Sequence, residues 1–337
     1  MRRILWKVNA VFKHVKRRVL ATGAAIAVAV GIAVGPQAGA QDLSSQIQRD
    51  IASAVDQAAT EWDNFVRMAT ESLGNGSSLP VLPNGPVANG QNRELSINGR
   101  SYLVWVPANY NPSRPMPVVV GYSALGNSTE DFRDYSRLRE STAGREAIIV
   151  YPRAIGASWE GQATAATGPG EDIAFVRAMI DDLGRHYNID RNRIYATGMS
   201  AGGGMAAVSA CHMADLFAGV ASVSGAFYTP VNMNCQNRPI AFYAIHGMND
   251  QVIPYYGGER RGARVLNFQE VFSSYERRNL CAGGIDVSPA AVNASRVSAR
   301  GCAKPVQVVK VEGGGHEWFA YPNAAEEVWA FLSKQSK

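Results

Sequence analysis

The 337-residue sequence predicts an α/β fold: a mostly parallel central sheet with helices on both faces, preceded by an N-terminal helical appendage. Two observations carry the prediction. From residue 93 onward, short apolar runs alternate with helix-like segments, the pattern of strands buried on both sides by crossover helices. The run RIYAT then leads straight into Gly198-Met199-Ser200-Ala201-Gly202 and a small-residue helix, which is a strand–turn–helix junction.

Residues 1–40 read as a secretory signal peptide outside the fold. Arg2, Arg3, Lys7, Lys13, Lys16, Arg17 and Arg18 precede the apolar run Ala21 to Val34, and Ala38-Gly39-Ala40 supplies a small-residue cleavage site ahead of Gln41. The run falls short of the ~20 residues that span a bilayer, so no transmembrane span is expected after cleavage. Arginine pairs at 2–3 and 17–18 leave the general and twin-arginine export routes both open. Taking these seven basic residues from the 33 leaves 26 against 28 acidic ones, a formal net charge of −2 in place of +5. The basic excess on which nucleic-acid binding rests is thereby excluded.

Residues 41–73 lack Pro and Gly and carry Ile47, Ile51, Val55, Ala58, Trp62, Phe65, Val66 and Ala69 at helical spacing, so an amphipathic helical segment is expected. Residues 74–92 (GNGSSLPVLPNGPVANGQN) read as a Gly/Pro-rich linker. Three roles are open to a helix tethered in this way: packing on the next domain, covering its site, or associating with the cell envelope through residues 42–73.

Residues 93–337 form the main domain, a usual size for one α/β unit. Strands are expected at RSYLVWVP from Arg100, PVVVGY from Pro117 and AIIVY from Ala147. A helix follows over Glu171 to Tyr187, then the strand RIYAT from Arg193 and the helix Ala201 to His212. Next come the strand Gly219 to Ser224, the strand IAFYAI from Ile240 and the helix Phe268 to Asn279. The strand VQVVKV from Val306 and the helix Ala324 to Leu332 end the domain.

A G-x-S-x-G pentapeptide alone is a weak signal in a chain with 33 glycines; the strand–turn–helix setting gives it meaning. Such a turn lifts a serine above the sheet, and a side chain at 198 or 202 would collide with the neighbouring strand or helix. Ser200 is therefore the candidate nucleophile. A serine hydroxyl needs a base, and the base needs an orienting carboxylate. Asp250 follows IAFYAI in the loop HGMND, and His316 follows VQVVKV in GGGHEW. All three residues leave the carboxyl ends of expected parallel strands, where α/β sheets place their sites. His186, His212 and His246 read instead as surface or loop-orienting residues. One oxyanion donor is expected from the N–H of Ala201, and the second from Ala124 or Leu125 in the loop after PVVVGY. Trp159 and Trp318 are candidate substrate-lining residues. Neither a metal nor a cofactor is expected, because no Cys or His pair has ligand spacing. Cys211, Cys235, Cys281 and Cys302 all follow the leader; export permits disulfides, and of three pairings, nearness in sequence favours 211–235 and 281–302.

With these residues placed, residues 97–332 resemble the family of secreted polyhydroxybutyrate depolymerase-like and feruloyl esterases. The matching stretches are SYLVWVPANY, NSTEDF, EDIAFVRAMIDDLGRHYNIDRNRIYATGMSAGGGMA, HGMNDQVIPY and VEGGGHEW. The resemblance implies an α/β-hydrolase fold, ester substrates and a metal-free mechanism with Ser200, His316 and Asp250 as the triad. Cys281 and Cys302 match a pairing that the family tends to show. At Ser123-Ala124 the chain departs from the family's usual His-Gly, which changes the expected loop and acyl pocket. The expected activity is hydrolysis of a carboxylic ester by a protein that is secreted or held in the cell envelope. Its substrate is then an extracellular polymer, a plant-type ester, or a sugar or lipid ester of the envelope. Envelope acyl transfer with the same triad, and a binding module without catalysis, are the alternatives.

Overall fold

The computed structural model describes residue 90 and residues 92–337. The expected signal peptide, the helical segment at 41–73 and all of the expected linker except Gly90 and Asn92 lie outside the described residues. Asn92 already opens the first strand.

Six strands form the parallel centre of the sheet: β3 (Met116–Tyr122), β4 (Ile148–Pro152), β5 (Ile189–Met199), β6 (Gly219–Val223), β7 (Ala241–Gly247) and β12 (Val306–Val311). Antiparallel hairpins extend both edges: β1 (Asn92–Ile97) with β2 (Arg100–Trp105), and β10 (Ile285–Ala291) with β11 (Ala294–Ala299). The order across the sheet is β1-β2-β4-β3-β5-β6-β7-β12-β11-β10. A separate small hairpin joins β8 (Gly258–Arg260) to β9 (Ala263–Val265).

Helices cover both faces, which is why the central strands read as apolar runs without polar alternation. On one face α3 (Glu171–His186), α4 (Ala201–His212) and α5 (Phe268–Arg278) bring Phe175, Met179, Met205 and Phe272 onto Val118, Ile194 and Phe242. On the other, α1 (Thr129–Ser136), the single turn α2 (Ala143–Glu146) and α6 (Ala324–Leu332) bring Phe132, Ala143, Val328 and Phe331 onto Val119, Tyr195 and Tyr243. Each fully buried side chain of this kind contributes about 1.5–3 kcal/mol.

The expected strands and helices of this domain are present, most with boundaries shifted by one or two residues and two of them notable. β2 ends at Trp105, short of Pro107, and β5 begins at Ile189, four residues before RIYAT. Elements beyond those expected have their own causes. α1 starts on a capping box in which Ser128 and Asp131 each accept from the other's backbone N–H. β10 carries Pro289 and five exposed residues, so it has neither the run nor the alternation that marks a strand.

Candidate active site

The site is built where β5, β7 and β12 end. β5 runs directly into Ser200, whose φ of 55° and ψ of −120° are sparsely populated for a residue with a side chain. Such geometry costs about 1–3 kcal/mol and persists only where the surroundings impose it. Here the Ser200 N–H donates to Val223 O at 3.0 Å, while Ser200 O accepts from Gly204 N at 3.0 Å and Ala226 N at 2.9 Å. The flanking glycines are sterically required: a Cβ on Gly198 would strike the carbonyl of Gly202, and one on Gly202 would strike that of Tyr122.

Asp250 lies three residues beyond β7, and His316 five beyond β12, the adjacent strand. His316 Nδ1 stands 2.7 Å from Asp250 Oδ2, and the other carboxylate oxygen accepts from Val252 N and Ile253 N, each at 2.8 Å. Burial alone would raise the Asp250 carboxyl, but hydrogen bonds from His246 and His316 outweigh it and hold the group well below the usual carboxylate range. The two loops are fastened together. Met248 N donates to Val311 O and Asn249 N to Gly314 O, both at 2.9 Å, and a Cβ on Gly247 would overlap Gly314. Ser224, at the end of β6, donates from Oγ to Glu317 O at 2.8 Å and accepts from Glu317 N at 3.4 Å. Tyr135 of α1 accepts from Trp318 N at 3.1 Å. Ser224 and Tyr135 therefore hold the His316 loop from two sides. Sequence reasoning missed both; the Ser128–Asp131 cap was the one signal that could have located the helix bearing Tyr135.

The loop after β3 packs backbone to backbone against the first turn of α4, since a Cβ on Gly202 would also lie 2.6 Å from Ser123 O. Ala124 and Leu125 are the next residues of this loop. Among the described residues no acceptor engages the N–H of Ala124 or Leu125, and the N–H of Ala201 belongs to the unpaired first turn of its helix. Gly126 N donates to Ala157 O at 3.0 Å, and Trp159 Nε1 donates to Ser123 O at 2.9 Å, so the loop is braced from behind.

The tryptophans correct the expectation of substrate lining. Trp159 is fully buried, its indole edge-on to Tyr122 with centroids 5.2 Å apart, and it offers no surface to a ligand. Trp318 is nearly buried against Phe132. Both side chains pack behind the loops, because each ring has more apolar area to bury than an open mouth would cover. Cys211 bonds to Cys235 and Cys281 to Cys302, the pairing that nearness favoured. Of the other histidines, His186 lies on α3 beside Asp182, and His212 ends α4, about 18 Å along the helix from Ser200. His246 is the exception and approaches Asp250 to 3.2 Å.

Comparison with known proteins agrees with this architecture. The "Esterase PHB depolymerase" family model matches residues 101–236. The chain is 31% identical over 263 residues to a probable feruloyl esterase C of Aspergillus terreus, covering 75% of this chain and 88% of that one. It is also 31% identical to feruloyl esterase D of Neurospora crassa, covering 74% and 88%. Among solved structures, acetyl xylan esterase from Aspergillus awamori superposes with a TM-score of 0.52 at 15% identity, over 72% of this chain and 99% of the other, a likeness of fold. With an α/β-hydrolase sheet and relatives of this identity and coverage, the chain belongs to the polyhydroxybutyrate depolymerase-like and feruloyl esterase family and is a carboxylic ester hydrolase.

Proposed function

We propose that the chain is an exported serine esterase in which Ser200 attacks the ester carbonyl, His316 accepts the serine proton and returns it to the leaving alcohol, and Asp250 orients the imidazole. Water then attacks the acyl-enzyme with His316 again as base. The N–H of Ala201, with that of Ala124 or Leu125, stabilises the tetrahedral oxyanion. The observation that carries this reading is the 2.7 Å bond between His316 Nδ1 and Asp250 Oδ2, made from adjacent strand ends, in a sheet whose β5 runs into a serine held in strained geometry. Two disulfides fit an oxidising compartment, in keeping with the leader at residues 1–40. The names of the relatives make hydroxycinnamoyl esters of plant-type alcohols the first substrates to offer. Ser200→Ala is expected to lower kcat on a feruloyl or short acyl ester by more than about 1,000-fold with Tm unchanged. A folded variant that keeps a tenth of the activity would refute the assignment.

A further inference from the structure

The proposed triad leaves unused a second histidine on the same carboxylate. His246 lies in β7 and is 2% exposed. Its Nε2 is 2.9 Å from Ile253 O and 3.2 Å from Asp250 Oδ2, the oxygen that faces His316 Nδ1. Both neighbours can only accept, so Nε2 carries a hydrogen and shares it between them. Nδ1 is buried with no partner among the described residues, and the ring lies against Phe268 and Tyr255, with centroids 5.3 and 6.1 Å away. The imidazole therefore turns its donor at Nε2 toward the acid loop and its Nδ1 edge toward these apolar rings.

We infer that His246 is a positioning residue of this site: an imidazole whose Nε2–H ties Asp250 Oδ2 to the backbone of the acid loop and so fixes the direction in which the carboxylate meets His316. The inference rests on the triad reading above and adds a fourth member to it. Oδ1 is held by two backbone donors, and Oδ2 faces His316 Nδ1 at 2.7 Å and His246 Nε2 at 3.2 Å, so these four contacts restrain the carboxylate from both sides. Without His246, the only donor on Oδ2 among the described residues is the base itself. A carboxylate anchored through Oδ1 alone can turn Oδ2 away from the imidazolium that forms in the transition state.

Two amide replacements separate position from polarity. Gln carries an N–H to the place of Nε2, whereas Asn carries one only to the place of the unpartnered Nδ1. His246→Asn is expected to lower kcat about 10- to 100-fold with KM within about twofold, and His246→Gln to stay within about fivefold of the parent. Melting temperatures are measured on both, and His246→Met, which fills the site without a donor, replaces the Asn variant if that one does not fold. Equal kcat for the folded Gln variant and the folded donor-less variant would overturn the proposal, as would a loss carried by KM alone. Ser200→Ala is assayed alongside. If it remains active, the triad reading itself fails; if it is dead while His246→Asn is fully active, only the role of His246 fails.

Discussion

At the residue scale, the chain order of Ser200, Asp250 and His316 could be read from three short motifs because each follows a strand and the strands are parallel. The supports could not. Ser224 and Tyr135 act through bonds to residues 93 and 183 positions away, and no local pattern marks such contacts; His246 was legible as a loop-orienting residue but not as a neighbour of the carboxylate. Asp250 offers a test that separates stability from rate. Its carboxyl titrates below the ordinary range in the folded protein, so folding favours the ionised form. That contribution is fully present above the unfolded value near pH ~4 and is lost as pH falls toward the folded one. Asp250→Asn removes it. The stability gap between parent and variant is therefore expected to be widest at pH 5–7 and to narrow on going to pH 3, as chemical denaturation at each pH would show. A gap independent of pH would mean that the carboxylate is not held in its charged form. The same variant should lose about 10³- to 10⁴-fold in kcat, since an amide can hold the imidazole in the wrong tautomer.

At the element scale, the central strands and the long helices were legible because burial on both faces leaves an uninterrupted apolar run, as in PVVVGY and IAFYAI. The edge hairpin β10–β11 was not, because Ile285 to Pro289 are all exposed and the pairing is fixed by a partner strand rather than by a buried face. What holds the start of β7 was equally hidden. Asn279, just past α5, is fully buried and reads locally as an ordinary helix end. Its side chain accepts from Ile240 N at 3.0 Å and donates to Ile240 O at 2.7 Å and Lys304 O at 2.9 Å. One amide thus pins the entrance of β7 and that of β12, the two strands whose far ends carry Asp250 and His316. Asn279→Ala leaves two buried backbone groups of Ile240 and the part-buried carbonyl of Lys304 without this partner, each worth about 1–3 kcal/mol when buried. A fall in Tm of about 6 °C or more is expected at the usual 2–4 °C per kcal/mol for a domain of this size. Unchanged thermal unfolding would show that water or a shifted neighbour satisfies those groups as well as the amide does.

At the scale of the whole molecule, the two disulfides fasten opposite kinds of structure. Cys211 lies in the last turn of α4, the helix that begins at Ser200, and Cys235 ties it to the loop after β6, where Gln236 N also donates to Cys211 O at 2.8 Å. Cys281 and Cys302 instead close the segment that contains β10 and β11, at the sheet edge beyond β12. In a chain-entropy account, loops of 24 and 21 residues each remove about 3 kcal/mol of freedom from the unfolded state. The stability lost on removing either should therefore be alike, about 6–12 °C in Tm. The effect on rate should differ. Cys281→Ala with Cys302→Ala loosens the open end of the hairpin, near the entrance of β12, while its turn stays fastened to the end of β12 through Glu312 N–H donating to Asn293 O at 2.8 Å, so kcat below the new Tm should stay within about twofold of the parent. Cys211→Ala with Cys235→Ala frees the far end of α4, yet the elbow is held independently through Val223 O, Gly204 N and Ala226 N. Its kcat should likewise survive at low temperature and fail first on warming, as the helix end frays. Paired measurements of Tm and of kcat against temperature on the two double variants would check this. A loss of kcat at low temperature in the 281–302 variant, with the fold intact, would place the edge hairpin in the working site rather than outside it.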